Sequence, residues 1–340
     1  MTISFMATSA LNIFKKETIR MNTKKPNAKK PSIQDLCCEI RVLINEPRQQ
    51  ALLLSNSAMW NMLCSSLDVL EDTWLAVLAY RHGRPVNKSG KLYLLIYGIL
   101  QCLMVQQDAL KSLYSSLGLE FKENEHLKII REIRNDATGH PTNRRNGKSF
   151  SFISRPSMSK NSFKLMTEYP QQKDSNPKFR DVSLIELVAQ QIPIIEFYLK
   201  MVMDDLLQKA EEHKAMCKNK LLQTVFSNMT SYSFEKIQEA IIANYSPQMA
   251  LMNLELIDDS INRFKQAMSE RGILSAYAEI NNCIETTEHY LQKLRDFLTH
   301  RESSSYDTDD MMATARQAKV EIGHLREMAA EVNMKYQSDE

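Results

Sequence analysis

The chain has 340 residues, enough for one large or two modest domains, and with 43% hydrophobic residues it can bury a sizeable core. Only eight glycines and ten prolines interrupt it, while leucine, methionine, glutamate and lysine are plentiful, so helix is favoured over sheet. The net charge of +2 excludes neither nucleic-acid nor protein partners, because a small sum can conceal a basic cleft.

Residues 1–31 are basic and polar and read as a disordered arm. They lack a compact apolar core behind a basic start, so no secretory leader is expected, and a mitochondrial presequence is a weak alternative. Ser32–Asn45 reads as a short helix stopped near Pro47. From Arg48 to Tyr80 apolar residues recur at three- and four-residue spacing, among them Trp60 and Trp74, and predict one continuous helix with both indoles in the core. Arg81–Gly90 breaks the pattern, and Lys91–Leu117 resumes it, with Gly118 as a C-terminal cap. The most apolar run, Leu92–Val105, is too short to span a bilayer and fits a buried helix. A third, shorter helix covers Glu123–Ala137.

Residues from about 141 to 180 read as an insert. "SFSFIS" and "NSFKLMTEY" predict two short strands around the loop "RPSMSK". Helix returns at Ser183, where Ser183 and Glu186 form a capping box, and runs to about Cys217 with a kink expected at Pro193. A second unit, residues 218–340, contains a helix near Phe234–Asn244 and amphipathic helices over about Pro247–Glu270, Leu274–Arg301 and Asp307–Tyr336. They predict an accessory helical bundle or an arm that pairs with a second copy. The expected fold is therefore all-α: an up-and-down bundle over residues 32–217 with a small hairpin-like insert, followed by a C-terminal helical bundle.

The six cysteines are scattered through apolar helical stretches without a CxxC pair, which fits reduced thiols in a cytoplasmic protein. His213 and Cys217 are four apart on one helix, but two ligands do not make a metal site. No cofactor motif is found, and none is expected.

The stretch "REIRNDATGHPTNRR", Arg131–Arg145, is different in kind. Arg134 is seven residues after Leu127 and four after Ile130, so it leaves the helix from the apolar face. A guanidinium there needs a carboxylate, carbonyls, a polar cleft or an anion. The plain reading pairs it with Glu71 or Asp72 of the first long helix. Asn135, Asp136 and Gly139 weaken the helix, and Pro141 pushes His140 out of the α region, so the imidazole can curl back toward Arg134. The plain reading of His140 is a helix cap. Arg144, Arg145 and Lys148 add a basic rim suited to phosphate contacts or to simple solvation.

"RNDATGH" resembles the Arg-polar-x(4–6)-His signature of HEPN domains, which are all-helical bundles, and the order of helices from about 48 to 217 is similar as well. The resemblance implies a metal-independent endoribonuclease of the toxin or phage-defence kind. It would work as a homodimer in which two motifs face one cleft, with RNA as substrate, an antitoxin or other protein partner, and no membrane. Carried onto this sequence, Arg134 would stabilise the phosphorane, His140 would act as general acid or base, and Asn135 would position them. The alternative is a non-catalytic HEPN-like helical scaffold that binds RNA or protein.

Overall fold

Apolar periodicity collects into two hydrophobic cores. The computed structural model describes residues 30–337, apart from 140, 143, 145, 171–175, 227–228 and 244–245. The expected N-terminal arm lies almost wholly outside the described residues. From Ile33 onward the chain forms one compact unit. It is predominantly helical with a small three-stranded sheet.

The first core begins with α1, Ile33–Ile44, which buries Ile33, Leu36, Cys37, Ile40 and Ile44 as one helical stripe. The predicted long helix after it is two helices: α2, Pro47–Leu54, and α3, Ser57–His82. Pro47 starts the first at a position where a missing N–H is harmless. The break at Ser55–Asn56 holds because the Asn56 side chain accepts from the Met59 N–H at 3.2 Å, capping α3. Trp74 is buried and Trp60 packs half-buried against the same core.

The next helix, α4, spans Ser89–Ser116 and packs along α3. It ends at Gly118 in the left-handed region, φ 68°. There Leu119 N–H donates to Tyr114 O at 2.9 Å and Gly118 N–H to Ser115 O at 3.1 Å, satisfying carbonyls the helix leaves open. Asn124 caps α5, Glu125–Arg134, which buries Leu127, Ile130 and Ile133 against α4.

The insert holds three strands, not the expected two: β1, Phe150–Ile153; β2, Ser162–Glu168; and β3, Lys178–Ser183, antiparallel in the order β1-β2-β3. Phe163, Leu165 and Val182 turn one face of this sheet into the first core. Ser183 then accepts from Glu186 N–H at 3.3 Å and starts α6, Leu184–Cys217, which continues through Pro193. Three buried glutamines fix α6 against α4. Gln107 Nε2 donates to Gln191 Oε1 at 2.8 Å, and Gln191 Nε2 donates to Gln106 Oε1 and Leu103 O, each at 2.9 Å. Buried amides tolerate few alternative registers, because any slip leaves them unpaired.

The second core is built by α7, Thr230–Ala243; α8, Pro247–Glu270; α9, Ala278–Thr299; and α10, Thr308–Gln337. These helices close on one another around Phe234, Ile257, Phe264, Leu291, Leu294 and Leu325. Ala315, Ala318 and Ala329 keep the buried side of α10 narrow, which permits close helix approach. Among the described residues no helix is long and apolar enough to cross a membrane.

Candidate functional site

Three segments build the site: the middle of α4, the last residue of α5, and the turn that follows. Asn135–Gly139 is a π-helical turn, wider than the α-helix it continues. Its sequence explains the widening. Asn135 and Asp136 are poor helix formers whose side chains compete for backbone groups, and Gly139 and Pro141 end the helix. Ala137 is buried and anchors the turn, while Thr138 Oγ1 donates to Arg134 O at 3.0 Å.

Arg134 is half-buried at the rim of the core. Its Nη2 and Nε donate to Gln101 Oε1 at 2.6 and 3.1 Å, and its Nη1 donates to Asn135 Oδ1 at 3.0 Å. Of the two expected carboxylates, Glu71 is engaged by Arg41 Nη2 at 3.1 Å and Asp72 is exposed. Among the described residues no carboxylate lies within ion-pair distance of Arg134. Its neighbours differ: Arg131 Nη2 meets Asp108 at 2.7 Å, and Arg144 Nε meets Asp136 at 2.7 Å.

The amide orientations follow from chemistry. Guanidinium only donates, so the oxygens of Gln101 and Asn135 must face it and their NH2 groups turn away. Two guanidinium N–H bonds, the Asn135 Nδ2 and the Gln101 Nε2 are thereby left as donors around one net positive charge. Such a set fits an anion with several oxygens. The far side is closed by Gly139: a Cβ added there would lie 2.6 Å from Arg134 Nη1 and 3.1 Å from Asn135 Oδ1. Glycine is needed here for space, since backbone and guanidinium approach more closely than any side chain permits.

Of the six residues singled out from sequence, Arg134 and Asn135 are joined directly. Arg144 is not on an open rim; its side chain is 18% exposed and is held by Asp136. Lys148 is exposed, in a turn where its N–H donates to Arg144 O at 3.1 Å. His140 and Arg145 lie outside the described residues, so the curl of the imidazole toward Arg134 is not described. Gln101 was not anticipated. It is one glutamine in a long apolar helix, 33 positions before its partner, and no local pattern marks it.

The other titratable pair does not gather further ligands. Cys217 Sγ lies 3.6 Å from His213 Nε2, but the same nitrogen is 3.0 Å from Arg271 O. Burial lowers the His213 pKa below its usual value. Among the described residues no three His, Cys, Asp or Glu side chains group as a metal site. No family model matches this chain, and no curated protein or solved structure matches it either.

Proposed function

We propose that this chain is a HEPN-like, metal-independent endoribonuclease that cuts RNA by attack of the 2′-OH on the adjacent phosphorus, in a cleft formed by two copies. The observation that carries the reading is the Arg134 guanidinium, half-buried and held by two neutral amides with no carboxylate among the described residues to cancel it. At about 4 Å and an effective dielectric near 20, a unit charge on a phosphoryl oxygen meets about 4 kcal/mol of attraction there. The reaction develops negative charge on the non-bridging oxygens, where a fixed cation with spare donors acts most strongly. Arg134 contacts those oxygens, the Asn135 amide orients the phosphate, and His140 takes the 2′-OH proton or protonates the departing 5′-oxygen. The products are a 2′,3′-cyclic phosphate and a 5′-hydroxyl. A nuclease of this kind in the cytoplasm harms its own cell, so a restraining protein partner belongs to the same proposal, as does a toxin or phage-defence role.

The test is cleavage of single-stranded RNA by purified protein, resolved on denaturing gels with EDTA present throughout. Arg134→Ala is expected to slow cleavage by about 10²- to 10³-fold, as for loss of one transition-state donor. His140→Ala is expected to stop cleavage while RNA binding persists. The Asp136–Arg144 pair favours a second reading, a non-cutting RNA or protein scaffold, because it withdraws a rim cation from phosphate. Intact RNA with the parental protein, together with binding lost in Arg134→Ala, selects that scaffold over the nuclease.

A further inference from the structure

The β1-β2-β3 sheet has a second face that the core does not use. In register, Phe152 opposes Met166, and Met166 opposes Phe179, so these three side chains form one row across all three strands. Phe152 is 44% exposed and Phe179 is 62% exposed, although each is a side chain that burial normally claims. Phe150 lies two residues before Phe152 on the same face, about 7 Å along the strand. Lys164 flanks the row, opposite Asp181 at 3.8 Å, and Glu168 completes that face.

The charge of the segment points to the occupant. Residues 141–183 contain nine lysines and arginines against three acids, net +6, whereas the other residues contain 34 against 38, net −4. Residues 1–31 carry an equal excess, seven basic residues against one acid, so the basic charge of the molecule is shared between that arm and the segment that carries the exposed aromatic row. Lys148 and Arg155 are exposed just beyond the two ends of β1, and Lys178 and Arg180 are exposed on the edge strand β3, where they alternate with Phe179 toward the opposite face. Exposed aromatic rings on a sheet with Lys164 beside them and further cations at its margins match what a single-stranded nucleic acid offers: unpaired bases with π faces and a phosphate chain. A duplex conceals its base faces and fits this surface poorly.

The sheet is also fastened to the Arg134 site. Ser151 N–H donates to Pro141 O at 2.8 Å, and β1 packs against the π-helical turn. We infer that the Phe152–Met166–Phe179 face is a stacking platform for single-stranded RNA, which holds the strand beside the Arg134 site. The inference deepens the nuclease reading by naming where its substrate lies, yet binding here does not require cleavage.

The experiment measures fluorescence anisotropy of a labelled single-stranded RNA of roughly 15 nucleotides, near the upper site size of comparable surfaces. The full chain carries His140→Ala so that the probe survives. Adding Phe152→Ala or Phe179→Ala is expected to weaken binding by about 5- to 150-fold each, the range for losing one stacked base. Phe152→Tyr restores it, whereas Phe152→Leu, apolar without a π face, does not. Lys164→Ala lowers the salt dependence, and the phenylalanine variants leave it unchanged. Binding within about twofold of the His140→Ala parent in the double Phe152→Ala, Phe179→Ala variant overturns the proposal, as does equal affinity for duplex RNA. So does a double variant that turns a dimer into a monomer with RNA affinity intact, since a second copy then covers this face. Cleavage by the otherwise native chain is scored separately: platform variants that cut normally refute the platform alone, and tight Phe-dependent binding without any cutting refutes the nuclease alone.

Discussion

Gly139→Ala separates the site from the fold. The added Cβ would lie 2.6 Å from Arg134 Nη1 and 3.3 Å from its Cζ. Relaxed contacts are about 3.5–4.0 Å, so the guanidinium must retreat by about 1 Å. It is the end of a flexible side chain, so the backbone is spared. Gly139 does not occupy the left-handed region, and alanine there even regains about 0.5–1 kcal/mol of chain entropy. The displaced hydrogen bonds to Gln101 and Asn135 are half-exposed, and water replaces most of their worth. Stability should therefore move by about 1–2 kcal/mol at most, a Tm shift within about 5 °C. Function should not be spared, since a misplacement of about 1 Å at a reacting centre costs about 10²-fold. The assays are circular-dichroism melting, RNA cleavage, and the Arg134 Nε–H resonance, which should move whatever the activity. Adding Gly139→Ala to Arg134→Ala should cause no further loss, because both act through one guanidinium. A Gly139→Ala protein with an unmoved Nε–H resonance and parental function refutes the reasoning, and so does one that unfolds.

Gln101→Glu places a carboxylate where Arg134 Nη2 now donates at 2.6 Å. The side chain stays in place and its charge is cancelled, so melting should hold or rise slightly while RNA affinity falls at least about tenfold and its salt slope drops by about one charge. Acid should weaken the fold through His213. Its folded pKa is depressed by burial, so below about pH 6.5 the unfolded chain takes up a proton that the folded chain refuses. Stability contributed by the neutral ring is full above that pH and is lost as pH falls toward the depressed value. Urea melts across pH 7 to 5 should show the decline, and a His213→Gln protein should show less of it.

Much of the helical layout was legible because its cause is local. Leu127, Ile130 and Ile133 follow helical spacing, and all three are buried. Gly118 and Ser183 announce a helix end and a helix start by side-chain chemistry alone, and both occupy those places. The failures have local causes too. The break before α3 was hidden because Leu53, Met59 and Trp60 keep a helical rhythm across it, and only Asn56 signals the stop. The third strand was hidden because "KFRDVS" buries one residue well, Val182, and offers no clear alternation. At the site, Arg134 and Asn135 could be picked out, but what holds them could not. Gln101 reaches them through helix pairing, and the ion pair of Arg144 with Asp136 depends on how the chain returns after the turn.

The π-helical turn gives Asn135–Gly139 a property that composition does not express. Its extra residue is a phase setting. Removing one residue from it returns the backbone to ordinary winding and swings everything downstream by about 100°. Arg134, which precedes the turn, would keep its place against α4, while the sheet would leave in a new direction. In this stretch the number of residues is constrained beside the identities of Asn135 and Gly139, so a one-residue deletion should cost function even where both of them remain.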